Sequence, residues 1–477
     1  MRQNIVFFAA TAAALVAPGI NRQQVSLSDI HDKSSERNHV QAWWDALPNA
    51  EKLFSSVQDR ISKPIADSTL DGLLSLVDGE KEGPHPRPPH GGHGRHGHHG
   101  DPEKTIYDLI KESEHTTKFA KLVEEHDDIK QLLQDTEHNY TLFIPTDRAF
   151  EHIPHHGDGD HDDNNNTDDH KKPFKEFILA LLKYHISPGL YPLHRIRESN
   201  TLPSSLHPSA LSTSTSSKKH HHHNPQRIRV STVPFLPITR LNFRARLLAG
   251  DFVAKNGLVH ALDSILIPPP SQTTIVRLLP AQFSTLALAL ETTGLGGELE
   301  GLHREGGVTL FAPSNLAWAR LGPRVNGFLF SERGRKYLRG LVRYHVAVNE
   351  TLYSDEFYKA GGNEEGDEGQ SGGGRGYRHV DLTSLLDGKP ISVDIKRWRR
   401  FVSIQVNGFV SVVVRDGVAD DGVVHVVSRV LMPPCEHRGG EGIEEVEEGE
   451  MSVEELKRRL EPYVEETSDG LEGLGDL

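Results

Sequence analysis

The sequence has little cysteine, modest apolar content and no strongly basic region. Its 477 residues include one cysteine, Cys435, so no disulfide can form within the chain and the domains must be held by their hydrophobic cores. Only 36% of the residues are hydrophobic, whereas glycine and proline number 43 and 28. This is enough apolar material for packed domains but not for 477 packed residues, so long solvated stretches are expected.

The formal net charge is −14, and most of it lies towards the C-terminus. Residues 436–477 contain fifteen acidic and four basic side chains, while the remainder is close to neutral. Nucleic acid requires a basic surface, so we exclude it as a partner. We interpret residues 435–477 as an acidic tail and Cys435, at its edge, as an inert thiol, with a disulfide to a second chain as the alternative.

The N-terminus reads MRQNIVFFAATAAALVAPG. Arg2 supplies a positive charge, and Ile5 to Ala17 form an apolar run of the length found in secretory signals but short for a membrane span. We predict a signal peptide over residues 1–17 and a secreted, extracellular protein with no membrane span after cleavage. The alternatives are an uncleaved anchor and a location in the vacuole or the lumen of the secretory pathway.

A histidine-rich tract follows within residues 18–102, which we predict to be a partly disordered N-terminal segment. Its end reads GPHPRPPHGGHGRHGHHGDP, where proline and glycine prevent regular structure and nothing can be buried. Clustered imidazoles bind zinc, copper or nickel, although a flexible tract leaves their geometry undefined. The candidate metal ligands are His93, His96, His98 and His99. No cofactor is predicted.

One phrase occurs twice, as TLFIPTDRAF at residues 141–150 and as TLFAPSNLAW at residues 309–318. In the first copy we predict that TLFI forms a short buried strand ended by Pro145. Thr146 or Asp147 then caps a helix that starts near Arg148. The phrase is therefore interpreted as a folding signature.

Two more landmarks recur in the same order. Each copy has an apolar helix that ends in a Tyr-His dipeptide, and later a strand-rich box, NGLVHALDSILIPP or DGVVHVVSRVLMPP. The offsets between the copies of the three landmarks are 168, 160 and 165 residues. Three landmarks in one order indicate a tandem duplication of a domain of roughly 150 residues.

These motifs resemble those of the fasciclin family over about residues 104–434. The resemblance implies an α+β fold with two tandem fasciclin-like domains, residues 103–270 and 271–434. Each domain would pack a β-sandwich or wedge of strands against several helices, with disordered linkers and tail. The second copy departs from the family pattern at Trp318, at Ser428 and at its Asn-Gly position, where Asp416-Gly417 or Asp421-Gly422 stands.

The resemblance also implies a non-catalytic role in cell adhesion or in interaction with the extracellular matrix or cell wall. The partner would be a protein or polysaccharide of that matrix or wall. The family's Tyr-His region implies partner contact, and the corresponding residues here are Tyr184, His185, Tyr344 and His345. The residues themselves, each pair closing an apolar helix, favour satisfied core side chains.

Two other functions remain open. A hydrolase on a fasciclin scaffold is one, and an ordered, exposed His–carboxylate pair in a cleft would favour it. GQSGG at residues 369–373 matches a nucleophile pattern but lacks the flanking strand and helix. A secreted metal-binding protein that uses its histidine tracts is the other, and tight stoichiometric zinc or copper would favour it.

Three Asn-x-Thr sequons at Asn139, Asn165 and Asn349 become glycosylation candidates if the chain enters the secretory pathway. On expression in a secreting host, the mature protein should begin near Pro18 and lose mass on enzymatic deglycosylation. N-terminal sequencing and intact-mass measurement check both. Cytosolic protein that retains Met1 would contradict the prediction.

Overall fold

The computed structural model shows two copies of one α+β arrangement, each a mixed sheet with helices packed on it. It describes residues 100–151, 168–207, 224–232, 238–302, 307–359, 375–398, 401–434 and 451–464. The predicted signal peptide, the four candidate metal-binding histidines, the GQSGG motif and Asn165 lie outside the described residues. Each described helix is too short or too polar to cross a membrane.

The first repeat contains six helices and eight strands among its described residues. The helices are α1 Ile106–Glu112, α2 Thr117–Glu124, α3 Asp127–Gln134, α4 Asp147–Phe150, α5 Asp168–Tyr184 and α6 Leu193–Glu198. The strands are β1 Gly100–Asp101, β2 Tyr140–Pro145, β3 Ile186–Pro188, β4 Thr201–Pro203, β5 Arg227–Thr232, β6 Thr239–Leu241, β7 Ala245–Ala254 and β8 Gly257–Leu262.

The second repeat follows the same order with longer outer strands. Its described helices are α7 Gln272–Leu278, α8 Pro280–Thr293, α9 Leu295–Gly301, α10 Asn315–Ala319, α11 Pro323–Leu329, α12 Arg335–Tyr344 and α13 Val453–Leu460. Its described strands are β9 Val308–Pro313, β10 Val346–Val348, β11 Glu350–Leu352, β12 Phe357–Lys359, β13 Arg375–Thr383, β14 Pro390–Trp398, β15 Phe401–Val406, β16 Val410–Ala419 and β17 Gly422–Val427.

The two main sheets have equivalent strand orders. The first runs β3-β2-β8-β7-β6-β5-β4, with β1 added in parallel on β7, and the second runs β10-β9-β17-β16-β15-β14-β13. In both, the strand of the repeated phrase is parallel to the strand of the last box, β2 to β8 and β9 to β17. The predicted α+β class and the tandem duplication are confirmed.

The repeated phrase forms the strand next to one edge of each sheet, between β3 and β8 or between β10 and β17, and it is buried on both faces. In β2, Leu142 and Ile144 pack against the helices, whereas Phe143 faces a second core enclosed by the curled sheet. In β9, Leu310 packs with the helices and Phe311 faces the second core. A parallel strand covered on both sides needs a continuous apolar run, which explains why the phrase does not alternate.

The threonine of the phrase is the polar exception in this buried strand. Thr141 Oγ1 donates to Gly189 O at 2.8 Å and accepts from Tyr191 N at 3.0 Å. Thr309 Oγ1 makes the equivalent pair of bonds with the backbone of β11. The hydroxyl therefore satisfies one carbonyl and one N–H that would otherwise be buried without a partner.

The predicted helix after Pro145 is present as α4, which starts at Asp147 behind Thr146. Asp147 was a candidate cap of α4, but its side chain caps a different helix. Its carboxylate accepts hydrogen bonds from Thr117 N at 3.2 Å and Lys118 N at 2.9 Å, at the start of α2. The short acceptor caps a neighbouring helix because α4 lies beside the free N–H groups of α2.

A helix beyond the acidic stretch packs into the second repeat. α13 is amphipathic, Ser452 caps it by accepting from Glu455 N, and Leu456 and Leu460 are fully buried among α11 and α12. Tyr337 of α12 bonds Glu461 at its end. This part of residues 435–477 thus belongs to the second core, although its composition is acidic.

The two repeats contact each other through the β4–β5 edge of the first and the β11–β12 hairpin and β16 of the second. The carboxylate of Asp355 accepts from Asn200 N at 2.9 Å, Thr201 N at 2.7 Å and Thr201 Oγ1 at 2.5 Å. Gln226 Nε2 donates to Ala419 O at 2.9 Å. These bonds cross the junction between positions more than 150 residues apart.

Arg227 is the buried centre of this junction. Its guanidinium donates to Thr201 Oγ1 and to Tyr358 Oη, both at 2.7 Å, and lies 5.6 Å from the ring centroid of Tyr353. Burial opposes its charge, but Asp355 and Tyr358 outweigh that effect and raise the pKa of Arg227. A buried charge is tolerated only when paired, so this residue requires the second repeat to be in place.

The turn before β17 settles which dipeptide replaces Asn-Gly in the second repeat. Gly257 pairs with Tyr140 and Gly422 with Val308 at the start of the parallel strands, so Asp421-Gly422 is the equivalent of Asn256-Gly257. A Cβ on either glycine would lie 1.9 Å from the facing carbonyl oxygen. Only glycine allows this approach of the two strands.

Gly422→Ala should therefore lower stability by about 1–3 kcal/mol or more, because backbone must move to admit the methyl group. Gly327→Ala in α11 is the matched control, since an added Cβ there meets nothing within 4 Å, and it should be neutral or stabilising. Thermal unfolding of both variants checks this. Equal melting temperatures would contradict the assignment of the close approach.

Candidate functional site

The two Tyr-His dipeptides lie where α5 and α12 end. Both helices are amphipathic, and their apolar faces carry Tyr184 and Tyr344 into the core, where each is fully buried. His185 and His345 follow at the helix ends and are also buried. The four predicted site residues therefore occupy equivalent interior positions in the two repeats.

Each of these histidines bridges two backbone groups. His185 Nδ1 lies 2.8 Å from Leu181 O, and its Nε2 accepts from Leu266 N at 3.0 Å. The accepting Nε2 fixes the neutral tautomer, with the proton on Nδ1 donated to the helix carbonyl. Burial lowers the pKa of His185 to about 4, so the ring stays uncharged at neutral pH.

His345 repeats the same geometry. Its Nδ1 lies 2.8 Å from Leu341 O, its Nε2 accepts from Leu431 N at 2.8 Å, and burial lowers its pKa to about 4. The ring joins the last turn of α12 to the chain segment that follows β17. Both ring nitrogens are thereby occupied, which leaves none for acid–base chemistry or a ligand.

Each tyrosine hydroxyl is hydrogen-bonded to a backbone carbonyl and to an asparagine side chain in the outer part of its sheet. Tyr184 Oη donates to Arg227 O at 2.9 Å and accepts from Asn242 Nδ2 at 2.6 Å. Tyr344 Oη is bonded in the same way by Pro390 O and Asn407 Nδ2, and burial raises its pKa to about 12. Neither hydroxyl is available as a nucleophile.

The histidines of the last box are a second buried pair. His260 Nε2 lies 2.8 Å from Tyr191 O, and its ring stacks on Phe143 with centroids 5.6 Å apart. His425 makes the equivalent contacts with Leu352 O and Phe311. Burial lowers the pKa of both histidines. Partner contact through the Tyr-His elements stays a prediction, and in this conformation they act by shaping the domain.

Two sequons lie at the surface. Asn139 is exposed just before β2. Asn349 is exposed in the turn between β10 and β11 with φ of 59°. Gly189 follows β3 as Asn349 follows β10, so Gly189 is the counterpart of Asn349 in the first repeat. Gly189 N donates to Asn139 O at 2.8 Å. Glycans on Asn139 and Asn349 would therefore lie at the same end of their sheets. Glycosylation stays a prediction.

Three of the exposed aromatic side chains among the described residues lie on one sheet face of the second repeat. Trp398 is 54% exposed, Phe401 49% and Tyr377 65%. Register places Trp398 opposite Phe401, and their rings are nearly parallel at 22° with centroids 6.0 Å apart. We call this the platform face, defined by Tyr377 and His379 on β13, Asp394, Lys396 and Trp398 on β14, and Phe401 on β15.

The platform face carries an exposed His–carboxylate pair. His379 Nδ1 lies 2.7 Å from Asp394 Oδ1, which also accepts from Tyr377 Oη at 2.5 Å. His379 Nε2 lies 3.4 Å from Ser392 Oγ and 3.4 Å from Asp381 Oδ1. A serine, a histidine and an aspartate therefore stand in the order that nucleophilic catalysis uses.

The contacts of this cluster disfavour catalysis. Ser392 Oγ donates to Asp381 Oδ1 at 2.6 Å, so its proton is directed away from the imidazole. The bond to Asp394 and the charge of Asp381 raise the pKa of His379 and so favour the protonated ring, which has no lone pair with which to accept a proton from serine. The cluster also lies on an open sheet face, whereas acyl transfer needs donors that surround the developing oxyanion.

Sequence reasoning placed strands here but did not find this face. The signal was available in KPISVDIKRW and FVSIQV, where Ile391, Val393 and Ile395 alternate with outward polar and aromatic residues. Two aromatic residues on either side of a turn, both at outward positions, point to an exposed pair. The contact between them depends on the register of β14 and β15, which the pattern alone does not define.

The fasciclin domain model matches residues 114–268 and again residues 281–433, more than half of the chain. The two matches coincide with the two repeats of the structure, so the protein contains two fasciclin domains in tandem. The chain belongs to the fasciclin family.

Three relatives illustrate the range of the family. The chain is 27% identical over 381 residues to "Aurofusarin biosynthesis cluster protein S" of Gibberella zeae, covering 76% of this chain and 87% of that protein. It is 21% identical over 336 residues to a "Fasciclin-like arabinogalactan protein" of Arthroderma benhamiae, covering 69% and 67%. It is 32% identical over 192 residues to "Periostin" of Homo sapiens, covering 40% of this chain and 19% of that protein.

His345→Asn should change how stability depends on pH. The imidazole has a pKa of about 4 when folded and 6.5 when unfolded, so it supports the fold fully above pH 6.5 and this support is lost as pH falls towards 4. The variant has no such group. Its free energy of unfolding should be lower at pH 7.5 by about 1–3 kcal/mol. It should then fall less steeply between pH 6.5 and 4, by about 1.4 kcal/mol per pH unit.

Urea titrations at pH 7.5, 6 and 5 measure both quantities. Tyr344→Phe is the matched control, because it removes a buried hydrogen bond beside His345 without removing a group that titrates in this range. It should lower stability equally at all three pH values. A His345→Asn variant with the wild-type slope would contradict the buried neutral imidazole.

Proposed function

We propose that this chain is a secreted, non-catalytic binding protein that attaches to a protein or polysaccharide of the extracellular matrix or cell wall through its paired fasciclin domains. The main supporting observation is that the polar and aromatic motif residues are buried, whereas other aromatic residues are exposed. The motif histidines and tyrosines are buried and hydrogen-bonded, whereas Tyr377, Trp398 and Phe401 are exposed together on the platform face. Exposed aromatic clusters of this kind mark interaction sites.

The family membership supports an adhesion-type role. Fasciclin domains occur in adhesion and matrix proteins, and the fasciclin model matches both repeats of this chain. A fungal fasciclin-like arabinogalactan protein matches 69% of the chain and periostin matches 40%. The N-terminal apolar run supports secretion, with the vacuole or secretory lumen as the alternative. The junction around Arg227 supports presentation of both repeats as one body.

A second candidate function rests on the relative that this chain matches over most of its length. That protein is named for the aurofusarin biosynthesis cluster. By analogy, this chain would act as a binding component in a biosynthetic process, again without catalysing a step itself. Affinity capture from culture medium separates the two, since wall material would co-purify in the first case and biosynthetic enzymes in the second.

The full-length chain, added to washed native wall or matrix material, should partition into the pellet and resist washing at moderate salt. A fixed surface loses little conformational entropy on binding, and the repeats are close to neutral, so salt should have a moderate effect. Centrifugation and immunoblotting measure the bound fraction.

The matched control addresses the metal-binding alternative. A chain with His93, His96, His98 and His99 all changed to Gln should bind the same material equally, with or without a chelator. Retention of the wild-type chain in the supernatant would contradict the proposed function. Loss of binding in the glutamine variant or with the chelator would favour the metal-binding alternative instead.

A further inference from the structure

We propose that Arg229, at the junction between the two repeats, binds one monoanionic group, a carboxylate or a sulfate ester, of an acidic polysaccharide. This rests on the proposed binding function and names a ligand class for it. Four observations support the proposal: a guanidinium without an ion-pair partner, a buried amide without a hydrogen-bond partner, a strained aromatic residue beside them and an excess of positive charge.

The guanidinium of Arg229 has two unused donor groups. Its Nε donates to Arg415 O at 3.0 Å across the junction, and its carbon lies 3.9 Å from the centroid of the Phe243 ring. Within the described ranges, no carboxylate pairs with this guanidinium and no acceptor meets its two terminal nitrogens. The side chain is partly exposed, so a ligand can reach them. Two terminal N–H groups of a guanidinium fit the two oxygens of a carboxylate or sulfate group.

Burial lowers the pKa of Arg229 to about 10, so the side chain remains charged at neutral pH. Its N–H groups have therefore lost part of their hydration without gaining a carboxylate in exchange. A charge in this position is stabilised when an anion binds to it.

Asn200 supplies another unused donor in the same cluster. The residue is only 6% exposed, and its Oδ1 accepts from Arg415 Nη2 at 3.4 Å. Its Nδ2 is buried and has no partner in the part of the chain that the structure describes. Asn200 O accepts from Val230 N, the residue after Arg229, which holds the amide beside the arginine. Buried donors without partners are rare in folded proteins, and a bound group is one reason for them.

The residue that stacks on Arg229 has a strained backbone. Phe243 has φ of 64°, in the left-handed region that bulky residues avoid. Gly408 stands at the equivalent position of the second repeat with φ of 80°, and Ser392 stands in place of Arg229. The equivalence follows from the asparagine before each turn residue, which accepts from the N–H of Arg229 or of Ser392. The shared fold therefore needs neither the ring nor the guanidinium, and strain of this kind is typical of functional sites.

The guanidiniums at the junction outnumber the carboxylates. Asp355 and the nearby Glu356 offset the charge of Arg227, and Asp416 lies 3.7 Å from Arg415 Nε. The full set is Arg227, Arg229, Arg397 and Arg415 against Asp355, Glu356 and Asp416. The sequence adds Arg399 and Arg400 shortly before Val402, whose carbonyl accepts from Arg415. A monoanionic group complements this excess, whereas a neutral chain would leave it unpaired.

The junction offers no free sheet edge to an acidic peptide. β4 is the edge strand here, and Asp355 already accepts from the backbone N–H groups of Asn200 and Thr201. A peptide that binds by adding a strand needs such groups to be free. An acidic polysaccharide needs only donors for its charged group and its hydroxyl oxygens. The observations therefore favour the polysaccharide.

The test measures binding of the full-length chain to immobilised polygalacturonate and dextran sulfate by surface plasmon resonance, with neutral dextran as the uncharged probe. We expect binding to at least one acidic polymer, and the polymer that is bound identifies the carboxylate or the sulfate ester as the ligand group. Arg229→Gln should weaken this binding by about tenfold or more. Arg229→Lys should weaken it nearly as much, because lysine keeps the charge but cannot bind two oxygens in parallel.

Arg246→Gln is the matched control. It removes the same charge from an exposed arginine of the same repeat, which pairs with Asp263, and it should bind as wild type. Phe243→Gly introduces the residue that the second repeat has in this conformation, so its melting temperature should change little. Its binding should nevertheless weaken, because the guanidinium loses the ring that holds it in place.

Four results would overturn the proposal: no binding to either acidic polymer, wild-type binding by Arg229→Gln, equal weakening by Arg246→Gln, or equally tight binding to polyglutamate. Binding that appears only after deletion of residues 360–374 would assign the site to the acidic residues of the chain itself and would overturn it too. If Arg229→Gln binds native wall material as wild type does, Arg229 is not the attachment site, while the proposed function stands.

Discussion

One buried, uncharged imidazole closes each repeat. Its Nε2 accepts a hydrogen bond from a backbone N–H beyond the last strand, 81 residues away in the first repeat and 86 in the second. Its Nδ1 donates to a carbonyl in the last turn of the helix. Both backbone groups would otherwise be buried at element ends without partners. The ring satisfies the helix carbonyl and this N–H at the same time. It therefore holds the end of the helix against the segment that follows the last strand.

The elements that repeat serve folding, and the elements that differ between the copies offer function. Thr141 and Thr309, the two Tyr-His pairs and the two last-box histidines make the same contacts in both domains. Evolution of a new surface is easiest where these contacts impose no constraint. The lengthened β13–β14 hairpin is such a place, because its inward side chains extend the core while its outward side chains are unconstrained by packing.

The sequence predicted the features that local pattern encodes. The run TLFI, its proline and the amphipathic helix ending in Tyr184 each have a periodicity or a cap that determines the element within a few residues. The duplication then made the second copy predictable from the first. Even the buried state of His185 followed from its place at the end of an apolar helix.

The features that were missed arise from pairing over long distances. Nothing local to Arg227 or Asp355 indicates that they meet at a junction, since neither belongs to a periodic pattern and they are far apart in the chain. The role of Asp147 at a neighbouring helix depends on how α2 and α4 pack. The platform face depends on the register between β14 and β15, which the sequence does not define. The acidic residues around Leu456 and Leu460 hid the apolar face of α13.

Because α13 packs into the second core, the segment that folds as the second domain is longer than the segment that matches the family. The family match ends at residue 433, yet two fully buried leucines of the second core come from beyond it. Truncating a buried leucine costs about 2–5 kcal/mol, so a domain cut at the family boundary would lose a large part of its stability. A protease acting between residues 434 and 451 would likewise leave the helix attached by packing alone. The stability of the second domain would then depend on the association of two fragments, and so on concentration.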